Sequence, residues 1–140
     1  MSRLTFAQGL PRWLHKQVRA EVKLLRLTDW TIQVQPAEQD DLREWTGTKA
    51  PRICLGSLDA VPSSKMATLC IWNEIEPHIS IRDFVRHEFL HAILAPIRVT
   101  IEQGFAAKPR MNEFHINRLA LDAEEQVIAH LIEVLNDGGK

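Results

Sequence analysis

A helix that is apolar on nearly all of its sides is predicted for residues 81–95, and a helix of this kind has to be buried. At 3.6 residues per turn, its apolar positions cover most of the circumference; they are Val85, Phe89, Leu90, Ala92, Ile93 and Leu94. Pro96 follows directly. It predicts that the helix ends there, since a proline inside a helical pattern ends or kinks the helix. The rest of the chain must therefore supply a core that encloses this helix.

Three ionisable residues interrupt that apolar surface, within the motif His-Glu-Phe-Leu-His: His87, Glu88 and His91. The two histidines lie one turn apart and about 40° apart around the helix axis, so both imidazoles can reach one metal ion. Glu88 lies about 60° beyond them, where its carboxylate can hydrogen-bond a water on the metal without being a ligand. Burying these groups unpaired would cost several kcal/mol, and a zinc ion with an ordered water resolves that cost. Arg86 is expected to reach solvent.

A third zinc ligand is needed from elsewhere, because catalytic zinc usually takes three protein ligands and a water. A C-terminal helix is predicted for residues 112–135, with Glu124 near the centre of its apolar face and Glu125 at the edge. A carboxylate inside an apolar stripe needs a partner, which slightly favours Glu124 over Glu125. His115 is a further candidate and would complete an all-histidine site.

The remaining elements predict a small sheet that supports these helices. Pro11 suits the first turn of a helix over residues 11–27, where apolar and basic side chains separate at helical spacing. Strands are predicted at 30–34, 52–55 and 66–72, a turn at 61–64, polar loops at 35–49 and 73–80, and a connection at 96–110. We therefore expect an α+β domain with a three- or four-stranded sheet, an N-terminal helix, the motif helix and the C-terminal helix that carries the glutamates.

The composition is that of an ordinary globular domain. Of the 140 residues, 45% are hydrophobic and 25% are charged, which predicts one domain over residues 1–140. The formal net charge of −1 gives no reason to expect nucleic-acid or membrane binding. No apolar run approaches the roughly 18–20 residues of a membrane span, and no signal peptide is recognised, so a cytoplasmic monomer is expected. Cys54 and Cys70 are predicted to be reduced thiols.

The motif at residues 87–91, followed by a helix with Glu124 and Glu125, resembles the zincin metallopeptidases and, among them, the gluzincins. The layout is similar to minimal single-domain gluzincins and to small metallopeptidases of phages and prophages. The resemblance covers about residues 66–135 and implies a zinc ion held by the two histidines and a downstream glutamate. It also implies that residues 66–72 form the edge strand on which a peptide substrate pairs.

These features predict a zinc-dependent metallopeptidase that hydrolyses peptide bonds with a zinc-activated water and Glu88 as general base. The chain has no tyrosine, so His115, His78 or an arginine would stabilise the oxyanion. One alternative is a non-catalytic, zinc-stabilised module that binds a protein partner. A second is a protease that acts on DNA-associated protein, like the SprT-like proteases, and ligation by His115 would favour it. The expected partner is a peptide or protein substrate.

Overall fold

The computed structural model describes residues 3–77, 79–106 and 113–138 of the chain. Within the two long helices, the side chains at 79–80, 99, 101–102, 104–106, 113–117, 119 and 137–138 are outside the description. The elements are β1 (Arg3–Phe6), α1 (Arg12–Leu24), β2 (Thr31–Ala37), α2 (Gln39–Thr46), β3 (Gly56–Val61), a 3-10 turn (Pro62–Ser64), β4 (Met66–Trp72), α3 (Ile79–Ala106) and α4 (Glu113–Gly138). None of the helices in these segments combines the length and apolar character that a bilayer crossing requires.

The chain divides into two compact units, residues 1–89 and residues 90–140, and the division falls inside the continuous helix α3. The first unit contains the sheet, α1, α2 and the beginning of α3. The second contains the rest of α3 and α4. The prediction of a single domain over residues 1–140 stays a prediction.

The sheet of the first unit is mixed and four-stranded, with the strand order β1-β2-β4-β3. β1, β2 and β4 run parallel, whereas β3 pairs antiparallel to β4. The predicted α+β class with a small sheet is therefore confirmed. The prediction that residues 66–72 form a sheet edge is wrong: β4 pairs with β2 on one side and with β3 on the other, so its backbone is used on both sides.

The core of this unit lies on one face of the sheet, because alternate residues of the central strands β2 and β4 are buried. β4 alternates in this way, with Ala67, Leu69 and Ile71 buried, as expected for a strand with one covered face. Helices α1 and α3 provide the other half of the core, through buried side chains at helical spacing. The buried side chains are Leu14, Val18 and Val22 on α1 and Ile81, Val85 and Phe89 on α3, so the first turns of α3 are fixed by packing.

Two predicted elements of the first unit are wrong in their position. Residues 35–49 contain α2, not only a loop. Leu42 is fully buried there, and Gly47 ends the helix in the left-handed conformation, with its N–H donating to the Arg43 carbonyl. The strand expected at 52–55 begins only at Gly56. Its start is set by pairing with β4, which the local pattern does not contain.

Helix α3 continues through Pro96 to Ala106, so the predicted helix end at residue 95 is wrong, and so is the predicted connection over residues 96–106. Residues 107–110 of that connection lie outside the described residues. Proline removes one backbone hydrogen bond and crowds the preceding turn, yet packing of a long helix can outweigh that cost. The hydroxyl of Thr100 donates a hydrogen bond to the Pro96 carbonyl at 2.9 Å, one turn further on. The last helix, predicted for residues 112–135, is α4 at Glu113–Gly138.

Gly56 allows close contact between β3, β4 and the first turns of α3. A Cβ at this position would overlap the Cys70 carbonyl oxygen and would lie 3.0 Å from two ring carbons of Phe84. Gly56→Ala is therefore expected to lower the free energy of unfolding by about 1–3 kcal/mol, as overpacking in a core does. Chemical denaturation measures this, with Ser57→Ala on the same strand as the control. Equal stability of the two variants would contradict the tight packing at Gly56.

Candidate metal centre

Helix α3 carries the sequence motif as one uninterrupted α-helical turn, as predicted. His87, Glu88 and His91 are all half-buried, whereas their neighbours Phe89, Leu90 and Ala92 are buried. The apolar residues of the helix therefore pack, and the three ionisable ones remain partly accessible.

The ring of His91 lies between two consecutive glutamates of α4. Its Nδ1 is 2.6 Å from Oε1 of Glu124, and its Nε2 is 2.7 Å from Oε1 of Glu125. The Glu124 side chain is only 3% exposed, whereas that of Glu125 is 43% exposed. One carboxylate is thus a buried partner of the ring, and the other is at the open side of the site.

These two contacts define how the imidazole can be used. A carboxylate only accepts hydrogen bonds, so a neutral His91 ring, which has one N–H, can donate to Glu124 or to Glu125 but not to both. When Nδ1 donates to Glu124, Nε2 turns a lone pair toward a Glu125 oxygen 2.7 Å away. A cation satisfies these two electron pairs, either as a second proton in a hydrogen bond of this length or as a metal ion that both atoms ligate. The donor set of His91 and Glu125 is therefore suited to a shared cation.

His87 joins this donor set. One ligand atom each from His87, His91 and Glu125 lie within 4.8 Å of one another, which makes a cluster able to hold a metal ion. The described residues therefore support the predicted metal centre in part, with Glu125 in the cluster. Glu124, the favoured third ligand of the sequence analysis, instead contacts the other nitrogen of His91. His115 lies on α4, but its side chain is outside the described ones, as is residue 78.

A cation also lies behind the buried carboxylate. The Nε of Arg98 is 3.5 Å from Oε2 of Glu124, and this guanidinium is partly exposed. Arg98 therefore balances part of the negative charge that Glu124 brings into the second unit. Arg98 was not predicted as a partner of Glu124, although it lies two turns after His91 on the same helix.

The prediction that Arg86, next to the first histidine, reaches solvent is wrong. Its Nε and Nη2 donate to the two carboxylate oxygens of Glu21 on α1 at 2.7 and 2.8 Å. Both side chains are almost fully buried, at 7% and 2% exposure. The hydrogen bond to Glu21 raises the pKa of Arg86, so the guanidinium stays charged. This two-pronged contact fixes the turn of α3 from which His87 projects.

Comparison with known proteins found no match: no protein-family model, curated protein or solved structure matches this chain. The class of protein is therefore defined by the fold and the site alone. It is an α+β protein with a cluster of two histidines and one glutamate able to hold a metal ion.

Proposed function

We propose that this chain is a zinc-dependent metallopeptidase, with His87, His91 and Glu125 as the zinc ligands. The observation that carries the proposal is the grouping of these three donors beside Glu88 in the predicted motif. Two imidazoles and one carboxylate are a common ligand set of catalytic zinc, which keeps a fourth position for water. When bound, zinc lowers the pKa of water toward ~7 and polarises a carbonyl.

Glu88 is the general base of the proposed reaction. It is the motif residue beside the two histidines, and it is half-buried, so water and a peptide can approach it. Its carboxylate takes a proton from the attacking water and passes it to the leaving amine. The water oxygen first adds to the carbonyl carbon, and the scissile carbon–nitrogen bond then breaks as the amine is protonated, so the products are a carboxylic acid and an amine.

Glu124 acts on the site through His91. By accepting the Nδ1 proton it fixes the tautomer and the ring orientation, and so leaves Nε2 available as a ligand. A hydrogen bond to a buried carboxylate also makes the imidazole a stronger electron-pair donor to a metal ion. The neighbouring glutamates of α4 therefore have different roles in this proposal, Glu125 as ligand and Glu124 as the group that orients His91.

The substrate of the proposed enzyme is an extended peptide. Because β4 is an interior strand, the peptide cannot pair with it, and β3 is the edge strand that follows it in the sheet. Strand addition at β3 would use its outward backbone groups. This replaces the pairing with residues 67–72 that the sequence suggested.

Zinc titration of the purified protein tests the ligand assignment. The wild type is expected to bind one zinc per chain. Glu124→Gln should weaken binding by roughly 10–100-fold, the usual effect of losing the partner of a ligating histidine. Glu125→Gln should weaken it further, since a ligand is lost. Competition with a chromophoric chelator measures both.

Glu133→Gln is the matched control, because Glu133 is an exposed glutamate of the same helix. It should bind zinc as the wild type does. Failure of the wild-type chain to take up zinc would end the proposal. A stronger effect of Glu124→Gln than of Glu125→Gln would exchange the two roles.

A further inference from the structure

A groove lies in the first unit at the end of β4 where α3 begins. Its lining is mainly apolar and consists of Ile53, Leu55, Trp72, Ile75 and Ile81. Its volume is about 700 Å³, within the roughly 300–1,000 Å³ of pockets that enclose small ligands or side chains. Ile53 is 54% exposed. The Ile53 side chain is therefore accessible to a ligand that enters the groove.

The walls of this groove are fixed by hydrogen bonds. The Trp72 N–H donates to the Leu55 carbonyl at 2.9 Å, and the Ile75 N–H donates to the Trp72 carbonyl at 3.1 Å. The Gln39 side-chain amide bonds both backbone groups of Cys54, at 2.9 and 2.6 Å. A ligand would therefore meet a groove that is already formed, which lowers the entropic cost of binding.

The charge of the groove is negative. Glu74 and Glu76, both exposed, are the only charged residues that line it among those the structure describes. Carboxylates at the border of an apolar groove favour a ligand that combines an apolar group with a cation and disfavour an acidic one. Among peptides, this selects a large apolar side chain with a lysine or arginine beside it.

Helix α3 fixes the distance between the groove and the motif, because it carries both Ile81 and Glu88. Ile81 precedes Glu88 by seven residues, which places it on nearly the same side of the helix and about 10.5 Å along the axis. An extended peptide covers about 3.3–3.6 Å per residue. Three peptide residues therefore span the distance between a bond cut beside Glu88 and the groove.

We infer that this groove is a specificity site for peptides that carry a large apolar side chain flanked by a basic residue, about three residues from the scissile bond. The position relative to the scissile bond rests on the proposed function. The binding itself does not, because every residue of the groove lies outside the metal cluster. The two are therefore separable by experiment.

Fluorescence anisotropy with labelled peptides tests the inference on the full chain carrying Glu88→Gln. The probe has one leucine between two lysines in a glycine–serine peptide; its comparison peptides replace the lysines by aspartates or the leucine by serine. We expect the leucine–lysine probe to bind about tenfold more tightly than either. Ile53→Asp should weaken its binding about tenfold, and Glu74→Gln with Glu76→Gln should abolish the preference for lysine over aspartate.

Leu24→Asp is the matched control, since Leu24 on α1 is 47% exposed in the same unit but neither lines the groove nor belongs to β3. It should leave binding unchanged. Equal binding of the three peptides, or equal effects of Ile53→Asp and Leu24→Asp, would overturn the inference. So would a wild-type dimer that Ile53→Asp converts to monomer, because the occupant would then be a second copy of the chain.

Hydrolysis by the wild type separates this inference from the proposed function. Groove-dependent binding without cleavage of the leucine–lysine peptide would end the peptidase proposal and leave the binding site standing. Cleavage of all three peptides with equal kcat/KM, unchanged by Ile53→Asp, would end the specificity site and leave the peptidase standing. Cleavage that falls about tenfold in kcat/KM with Ile53→Asp supports both.

Discussion

Glu88→Gln is expected to retain one zinc per chain and to lose peptide hydrolysis by roughly 10²–10⁴-fold, the usual contribution of a general base. The amide has nearly the shape of the carboxylate and still forms hydrogen bonds, but it cannot take a proton from water at neutral pH. Glu88 is not among the three clustered donors, so the metal should stay in place. Metal analysis and kcat/KM on a fluorogenic peptide library measure the two effects on one sample.

The control for this prediction is Asp83→Asn. Asp83 is a carboxylate on the same helix, and its side chain is 43% exposed. Its removal changes the charge of α3 without touching the motif, so zinc binding and hydrolysis should stay as in the wild type. Hydrolysis that survives in Glu88→Gln at wild-type rate would show that this mechanism is wrong. Retained zinc with no hydrolysis in the wild type itself would favour the non-catalytic module.

The motif was predictable because it is local. His87, Glu88 and His91 lie within five consecutive residues, and helical periodicity alone fixes their relative directions. The proposed third ligand is harder to predict, because its two candidates, Glu124 and Glu125, lie 33 and 34 positions after His91. Glu124 and Glu125 differ by about 100° around α4, and both reach the same imidazole from opposite nitrogens. A helical wheel shows which carboxylate is buried, but it does not show which nitrogen that carboxylate meets.

The same signal that drew attention to Glu124 was present on α1 and was missed. Glu21 lies in the apolar stripe of α1, one residue before Val22 and three after Val18, and it is buried. A carboxylate in such a stripe needs a partner. Arg86 on the apolar helix α3 needs one too, so the pair could have been proposed from the sequence. Its geometry could not, because the two residues are 65 positions apart.

The fold errors have the same origin. β3 begins where it pairs with β4, and α2 forms where Leu42 is buried, so both depend on contacts that a sequence window does not contain. At Pro96, the local rule predicted a helix end, but α3 continues through the proline to Ala106. β4 was correctly placed, because a continuous apolar strand pattern is a local signal. Its interior position in the sheet was not local and was missed.

Breaking the Glu21–Arg86 pair is expected to have the largest effect on stability. Glu21→Gln leaves a guanidinium buried without its counter-charge, which should lower the free energy of unfolding by about 3–5 kcal/mol. Joint replacement by Glu21→Leu and Arg86→Met removes both charges and should cost far less, because the desolvation cost of both ions disappears as well. Urea denaturation of the two variants measures the difference.

The surface ion pair of Asp29 and Lys65 is the control, since both side chains are more than half exposed. Asp29→Asn should leave the unfolding midpoint unchanged, because water screens that pair.

The joint variant also separates a role of the ion pair in stability from a role in positioning His87. If the Glu21–Arg86 ion pair only stabilises the fold, the joint variant should bind zinc as the wild type does. If the ion pair also orients the turn of α3 that carries His87, zinc affinity should fall in the joint variant although the protein is stably folded. Equal stability of Glu21→Gln and the wild type would contradict the buried pair itself.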